Sequence, residues 1–216
     1  MSETAGKPVY DPLEPLRSPT FLAELKRKAI HLSTLVLPLY ILYAWLPWPR
    51  GRAQLAQLLL VLFVGAVALD VLRIHEARVK SLFRRFFGQM IREHEELSLL
   101  GSTYLLLAAL IAVEIFPLPV AAGAIGFTVL GDAFAAIVGK AWGRHRLFNK
   151  TLEGALGGLV VCLVWGGFLA WTGHITWPTA LAGAVVASLV ELLPIPLDDN
   201  LGITIAAGYT MKLMGG

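Results

Sequence analysis

The chain has 216 residues, 56% apolar and only 15% charged, with a mean hydropathy of +0.69. That composition excludes a disordered chain and sets the protein apart from water-soluble domains, which carry about 25% charged residues. A net charge of +3 does not imply nucleic-acid binding here, because excess Lys and Arg in a membrane protein collects in cytoplasmic loops; no nucleic-acid partner is expected. The single cysteine, Cys162, sits inside an apolar run, so no intrachain disulfide can form.

Residues 1–25 form a polar, Pro-rich tail without the apolar core of a secretory signal; residues 26–216 read as one transmembrane catalytic domain. Seven apolar segments follow, near 30–47, 53–72, 98–116, 119–139, 154–172, 177–193 and 201–214. Most approach the length a helix needs to cross ~30 Å of hydrocarbon, and their continuous apolarity is unlike the alternation of a membrane barrel. The last has 14 residues, ~21 Å of helix, so it tilts, thins the bilayer or stops short of crossing. The expected class is therefore all-α, a polytopic helical bundle of about seven transmembrane helices. Between the second and third segments, Val79, Leu82, Phe83, Phe86, Phe87, Met90 and Ile91 recur at helical spacing. Lys80, Arg84, Arg85 and Arg92 lie mostly off that face. Segment 74–97 thus reads as a basic amphipathic helix, lying on the inner bilayer surface or packed on the protein itself.

Charge sets the expected orientation. With the N-terminus inside, 15 of the 18 Lys and Arg residues fall on the cytoplasmic side, leaving Arg50, Arg52 and Lys212 opposite. In that topology the polar groups in and beside the spans gather at the cytoplasmic ends: Lys28 and His31, Asp70 and Arg73, Asp132, Glu153, Glu191, and Asp198, Asp199 and Asn200. Glu114 is the exception. Asp132 is deepest, ~12 Å from Lys140 along a helix. Such residues are costly in a bilayer, roughly 2.5–3.5 kcal/mol each at a helix centre, and their convergence on one face points to a single polar site open to cytosolic solutes.

Asp132, Asp198, Asp199 and Glu191 or Glu153 offer hard oxygen donors suited to Mg²⁺; Lys140, Arg144 and Lys150 suit a polyphosphate. Together they point to phosphoryl or nucleotidyl transfer. There is no P-loop, zinc spacing, dinucleotide fingerprint or serine-hydrolase elbow. Gly131, Ala135, Gly139 and Gly143, with Gly154 and Gly158, make small-residue stripes whose simplest role is close helix packing. Lys26, Arg27 and Lys28 serve equally well as topology signals. Asn149-Lys150-Thr151 matches a glycosylation sequon, but its cytoplasmic position speaks against that use.

Residues 131–140 (Gly-Asp-Ala-Phe-Ala-Ala-Ile-Val-Gly-Lys), continuing through Gly143 to Lys150-Thr151-Leu152-Glu153-Gly154, resemble the signature of the polyprenol kinase family, which includes dolichol kinase, phytol kinase and CTP-dependent diacylglycerol kinase. Arg27-Lys28-Ala29-Ile30-His31, Asp70-Val71-Leu72-Arg73, and Glu191 with Asp198-Asp199-Asn200-Leu201 resemble its remaining elements. The likeness covers about residues 26–205. Related phosphatidate cytidylyltransferases share a similar central region but end differently, and the Leu193–Asn200 stretch favours the kinase branch. Asn149 stands where a doubled lysine is common in both.

The resemblance implies transfer of the γ-phosphate of a nucleoside triphosphate, typically CTP, to the hydroxyl of a membrane lipid alcohol such as a polyprenol, phytol-like alcohol or diacylglycerol. The expected mechanism has Mg²⁺ held by Asp132 with Asp198 or Asp199, with Glu191 as a further candidate metal ligand. Lys140 and Lys150 neutralise phosphate, and Thr151, Glu153 and Asn200 orient nucleotide. Arg27, Lys28 and His31 steady phosphate, while Asp70, Arg73, Gly131, Gly139 and Gly154 support the site. One acidic residue, Asp132, Asp199 or Glu153 among them, accepts the hydroxyl proton. CDP-lipid synthesis is the nearer alternative and a small cation transporter the more distant one. The expected location is a prokaryotic plasma membrane; oligomeric state, a homo-oligomer included, stays open.

Overall fold

A computed structural model describes residues 18–87 and 97–215. Among them the helices are α1 (Pro19–Ser33), α2 (Val36–Tyr43), α3 (Gly51–His75), α4 (Ala77–Phe87), α5 (Gly101–Ile115), α6 (Leu118–Trp142), α7 (Leu152–Trp171), α8 (Trp177–Leu192) and α9 (Asp199–Leu213). Between α6 and α7 lies a hairpin of β1 (Arg146–Leu147) and β2 (Lys150–Thr151), antiparallel, with Arg146 opposite Thr151. Phe148 at its tip has φ of 57°. The described residues are thus all-α apart from this hairpin. The tail residues 1–17 lie outside the described residues, as do Met90, Ile91 and Arg92 of the expected amphipathic segment.

Helices α3, α6 and α7 are long and apolar enough to cross a membrane, and α5 and α8 are shorter apolar helices. The expected first span, 30–47, is divided. Helix α1 ends at Ser33 and α2 begins at Val36. Pro38 lacks the amide that would bond the Thr34 carbonyl in an unbroken helix; the Leu37 amide takes that carbonyl instead in a tighter turn. The Ser33 and Thr34 hydroxyls donate to the carbonyls of Ile30 and His31 at 2.6 and 2.5 Å, further competing with helix continuation.

Helix α6 is the hub, packing against α1, α2, α5, α7, α8 and α9. Of its apolar stretch 72% is buried, against 22% for α3. Small residues make this possible. Gly158 packs on the Gly131 carbonyl and Ala135, and Gly154 on the Ala135 carbonyl and Gly139, so a Cβ at either position would strike α6 backbone. The glycine stripes are the α6–α7 contact surface. Helix α3 instead turns Leu60, Val61 and Val64 outward, apolar surface that lipid would cover. Two buried polar contacts tie the helices together: Thr128 with Thr204 at 2.7 Å, and Trp165 Nε1 donating to the Gly123 carbonyl at 3.2 Å.

Two of the three cations expected outside serve a helix end. Arg52 donates to the carbonyls of Val113, Glu114 and Phe116, and Lys212 to that of Ile115 at 3.1 Å. These are the last carbonyls of α5, which have no intrahelical partner and carry the negative dipole end. At the opposite end of α5, Asp70 Oδ2 accepts from the Leu100 amide at 2.9 Å and from Thr103 Oγ1 at 2.7 Å. Its Oδ1 accepts from Arg73 at 3.1 Å, and Arg73 also donates to the Ser98 carbonyl. Asp70→Ala is expected to destabilise the fold by about 3–5 kcal/mol, because a buried guanidinium loses its counter-charge and α5 its cap. Thermal unfolding in detergent measures this; an unchanged melting temperature contradicts it.

After a break at Glu76, α4 leaves the end of α3. The Arg73 guanidinium lies 5.5 Å from the centre of the Phe83 ring. Leu82 and Phe86 are exposed, so among the described residues this part of the apolar face is left open.

Candidate active site

The site begins with the spacing of α1. Phe21, Glu24 and Lys28 are buried, and with His31 they follow the three- and four-residue steps that share one helix face. That face lies on α6, and the two helices run in opposite directions past each other. Glu24 Oε2 accepts from Lys140 Nζ at 2.7 Å near the end of α6. Two turns deeper, Lys28 Nζ donates to Asp132, and His31 Nε2 stands 3.5 Å from the same carboxylate oxygen. Arg27 donates to the other oxygen of Glu24. Lys28 is 1% exposed, so an ammonium and a carboxylate from residues 104 apart meet nearly out of solvent. His31 Nε2 is buried and makes no hydrogen bond among the described residues.

The hairpin supplies the second wall. Lys150 Nζ donates to the Glu191 main-chain carbonyl, lies 3.1 Å from Glu191 Oε1 and donates to Asp199 Oδ2 at 3.0 Å. One lysine thereby ties the hairpin to the end of α8 and the start of α9. Burial works against the Lys150 ammonium, but the Glu191 and Asp199 charges outweigh it and raise its pKa above the ordinary lysine value.

Between these walls lies a cavity of about 590 Å³, in the range of small-molecule sites. Glu24 from α1 lines it, with Asp132, Gly139 and Lys140 from α6. Arg146, Asn149, Lys150 and Thr151 come from the hairpin, Gly154 from α7, Glu191 from α8 and Asp199 from α9. Residues drawn from most of the chain thus share one chamber. The N-terminal ends of α7 and α9 border it, where helix dipoles favour anions.

The remaining expected residues are placed differently. Thr151 borders the cavity, yet its Oγ1 also caps α7 by accepting from the Gly154 amide at 3.2 Å. Glu153 is not among the cavity-lining residues. It accepts from His145 Nδ1 at 2.6 Å and from the Arg144 and His145 amides, clamping the approach to the hairpin. The His145 hydrogen bond, then those from the backbone, hold its pKa down at about 2. Asp198 caps α9 through the Asn200 amide at 2.9 Å. Burial raises its pKa against the Asn200 hydrogen bonds, and the Asp199 and Asp132 charges add to the rise. Asn200 Nδ2 donates to the Gly101 carbonyl and Asp198, while its Oδ1 is buried with no hydrogen-bond partner among the described residues. Gly131 sits against Cys162 Sγ, where an added Cβ would stand 2.9 Å away. Asp70 and Arg73 belong to the α5 cap.

Glu24 is a chamber residue outside the expected set, as are Arg146 and Asn149 of the hairpin. Its signal was present in the Glu24-Lys28-His31 spacing, but a glutamate beside Lys26, Arg27 and Lys28 reads as ordinary surface charge.

Asp132, Asp198, Asp199 and Glu191 were expected to share one metal. Among the described residues, no three His, Cys, Asp or Glu side chains are grouped to hold an ion, because Asp198 caps α9 and Glu191 pairs with Lys150. Glu191 does lie within electrostatic reach of both Asp132 and Asp199. This donor set does not cage a metal by itself. It fits Mg²⁺ arriving on nucleotide phosphates, which needs only one or two carboxylates from the protein.

A chamber lined by charged side chains of both signs, in a helical bundle with helices long and apolar enough to span lipid, is the architecture of a helical membrane protein. The chain belongs to the Cytidylyltransferase family, whose model matches residues 17–193. It is similar to a CTP-dependent diacylglycerol kinase of Schizosaccharomyces pombe, 28% identical over 209 residues, covering 88% of this chain and 93% of the relative. A CTP-dependent diacylglycerol kinase of Eremothecium gossypii is 29% identical over 178 residues, covering 71% of this chain and 56% of the relative. An uncharacterized protein of Rickettsia prowazekii is 26% identical over 143 residues, covering 65% and 67%. No solved structure matches the chain. The expected likeness to CTP-dependent lipid kinases agrees with these relatives. Asp199 lies beyond the family match yet lines the same chamber as Asp132.

Proposed function

We propose that this protein is a CTP-dependent lipid kinase that transfers the γ-phosphate of CTP to the hydroxyl of a membrane lipid alcohol. The observation that carries the reading is the shared cavity, lined by Lys140 and Lys150 together with Asp132 and Asp199. The names of two relatives supply nucleotide and reaction class. The acceptor is diacylglycerol or an isoprenoid alcohol of polyprenol or phytol type. Its chain stays in the bilayer with the hydroxyl at headgroup level, while CTP enters from the cytosol.

In this reading the apolar segments cross the membrane seven times, α1 and α2 together forming the first. The N-terminus and the chamber face the cytoplasm, and α4 lies on the inner surface. Residues 26–216 are one catalytic domain behind a polar tail, in a prokaryotic plasma membrane, working alone or as a homo-oligomer. Lys140 and Lys150 bind the polyphosphate, with Arg27, Lys28 and His31 steadying it from α1. Thr151 and Asn200 hold the nucleotide side of the chamber. Glu153 acts by fixing the hairpin that carries Lys150. Asp132 and Asp199 are the residues that would hold Mg²⁺, which would supply neutralisation of the charge on the nucleotide phosphates. The attacking hydroxyl oxygen forms a bond to the γ-phosphorus as the β–γ bridging bond breaks. CDP leaves, and the hydroxyl proton passes to a chamber carboxylate.

The family name favours one rival reaction, transfer of CMP to a lipid phosphate with release of pyrophosphate. Purified protein supplied with Mg²⁺, candidate lipids and CTP labelled at either phosphate separates the two. Label from the γ-phosphate is expected in the lipid. Label from the α-phosphate in its place establishes the cytidylyltransferase, and neither label overturns both.

A further inference from the structure

Glu24 has no part in the reaction as written, yet it is the α1 side chain that enters the chamber. It is 8% exposed, and its two oxygens are divided between cations from different places. One accepts from Arg27 a turn along the same helix, the other from Lys140, 116 residues away on α6. A carboxylate gripped by a guanidinium and an ammonium presents them with the same chemistry as two oxygens of a phosphate. The other chamber lysine, Lys150, is held by Glu191 and Asp199, which belong to the same wall. Glu24 differs in joining α1 to α6 across the chamber mouth. Lys140 remains about half exposed, with 46% of its side chain accessible, so an incoming anion can reach it.

We propose that Glu24 is a built-in stand-in for phosphate, neutralising Arg27 and Lys140 while the chamber is empty and giving way when a polyphosphate takes those cations. This rests on the nucleotide-binding reading and deepens it. The ligand class is a polyphosphate, free or carried by a nucleotide. Exchange replaces a carboxylate by a phosphate oxygen at each cation. The α1–α6 link through Glu24 then passes through the ligand, while the Lys28–Asp132 pair stays in place. The carboxylate competes with the ligand, so binding is weaker and more selective for multiply charged anions than the bare cations would give.

The test titrates the purified full chain in detergent with tripolyphosphate and, separately, with CTP. Glu24→Gln keeps size and hydrogen bonding but removes the charge; Glu24→Asp shortens the reach so that both cations cannot be held together, and serves if the glutamine variant folds poorly. Each is expected to lower the Kd for tripolyphosphate about fivefold, the equilibrium equivalent of a half-exposed ion pair. In a Lys140→Met background the same change should have a smaller effect, because only the Arg27 contact is left for the carboxylate to compete over. Unchanged or weaker tripolyphosphate binding in both Glu24 variants overturns the stand-in, even where CTP binds the wild type well and the nucleotide reading stands. Tighter tripolyphosphate binding, with CTP bound no better than tripolyphosphate, upholds the stand-in and removes the nucleotide specificity instead.

Discussion

Asp132→Asn lowers turnover of lipid and CTP by about a thousandfold or more, while the variant still purifies as a folded species. Asparagine preserves shape and an oxygen for the Lys28 hydrogen bond, so the substitution removes charge and little else. That charge has two tasks. In the reaction, Asp132 is the deepest chamber carboxylate and the one proposed to hold Mg²⁺ with the nucleotide phosphates. In the fold, it compensates the almost fully buried Lys28 ammonium. Losing the counter-charge of a buried ion costs about 3–5 kcal/mol, less here because Asp132 keeps 15% of its side-chain surface accessible. The melting temperature should therefore drop together with activity, and the two effects need separating. Lys28→Met with Asp132→Asn removes the stranded charge. It should recover most of the lost stability and none of the lost activity. Near-normal turnover in Asp132→Asn alone removes Asp132 from the metal role.

Lys150→Ala acts on a different quantity. It takes a cation from between Glu191 and Asp199 and releases the hairpin from α8 and α9. The apparent KM for CTP is expected to rise about 10- to 100-fold, the loss of a charge-assisted hydrogen bond of roughly 1.5–3 kcal/mol, with a smaller fall in kcat. Lys150→Arg recovers only part of this. The planar guanidinium does not reproduce an ammonium directed at three acceptors. An unchanged KM with normal turnover refutes the nucleotide-binding role of Lys150. The pH dependence adds a check of sign. Because its pKa in the folded protein is raised, the contribution of Lys150 to stability is fully present below the ordinary lysine value of 10.5 and is lost as pH climbs through the higher folded value. From neutral pH to about pH 9.5, KM should show no rise attributable to this residue.

Much of the molecule was legible from patterns within short windows. Continuous apolar runs marked α3 and the helices from α5 to α9 to within a few residues. The glycine stripes marked the α6–α7 contact, because only residues without a bulky side chain let two helices approach that closely. The Gly131–Lys140 and Lys150–Gly154 stretches pointed to a phosphate site, and the structure gathers Asp132, Lys140, Lys150, Glu191 and Asp199 around one cavity. Less legible was the division of the first span, since hydropathy does not register the backbone bond that Pro38 cannot make. Also hidden were the double duties of polar residues. Residue type marks Thr151, Asp198 and Glu153 as candidate ligands, and does not show that each also bonds main-chain amides at the start of a helix or hairpin.

What the sequence by itself determined about this protein is what a local pattern can carry: helix period, small-residue faces, and which end of each helix bears charge. Only the tertiary structure decided which charge answers which. Glu24 finds Lys140, Lys28 finds Asp132, and Lys150 finds Asp199 across separations of 116, 104 and 49 residues. The physical reason is burial. Away from water an ion needs a partner at hydrogen-bond distance, and that partner is selected by how the helices pack, which no local pattern records.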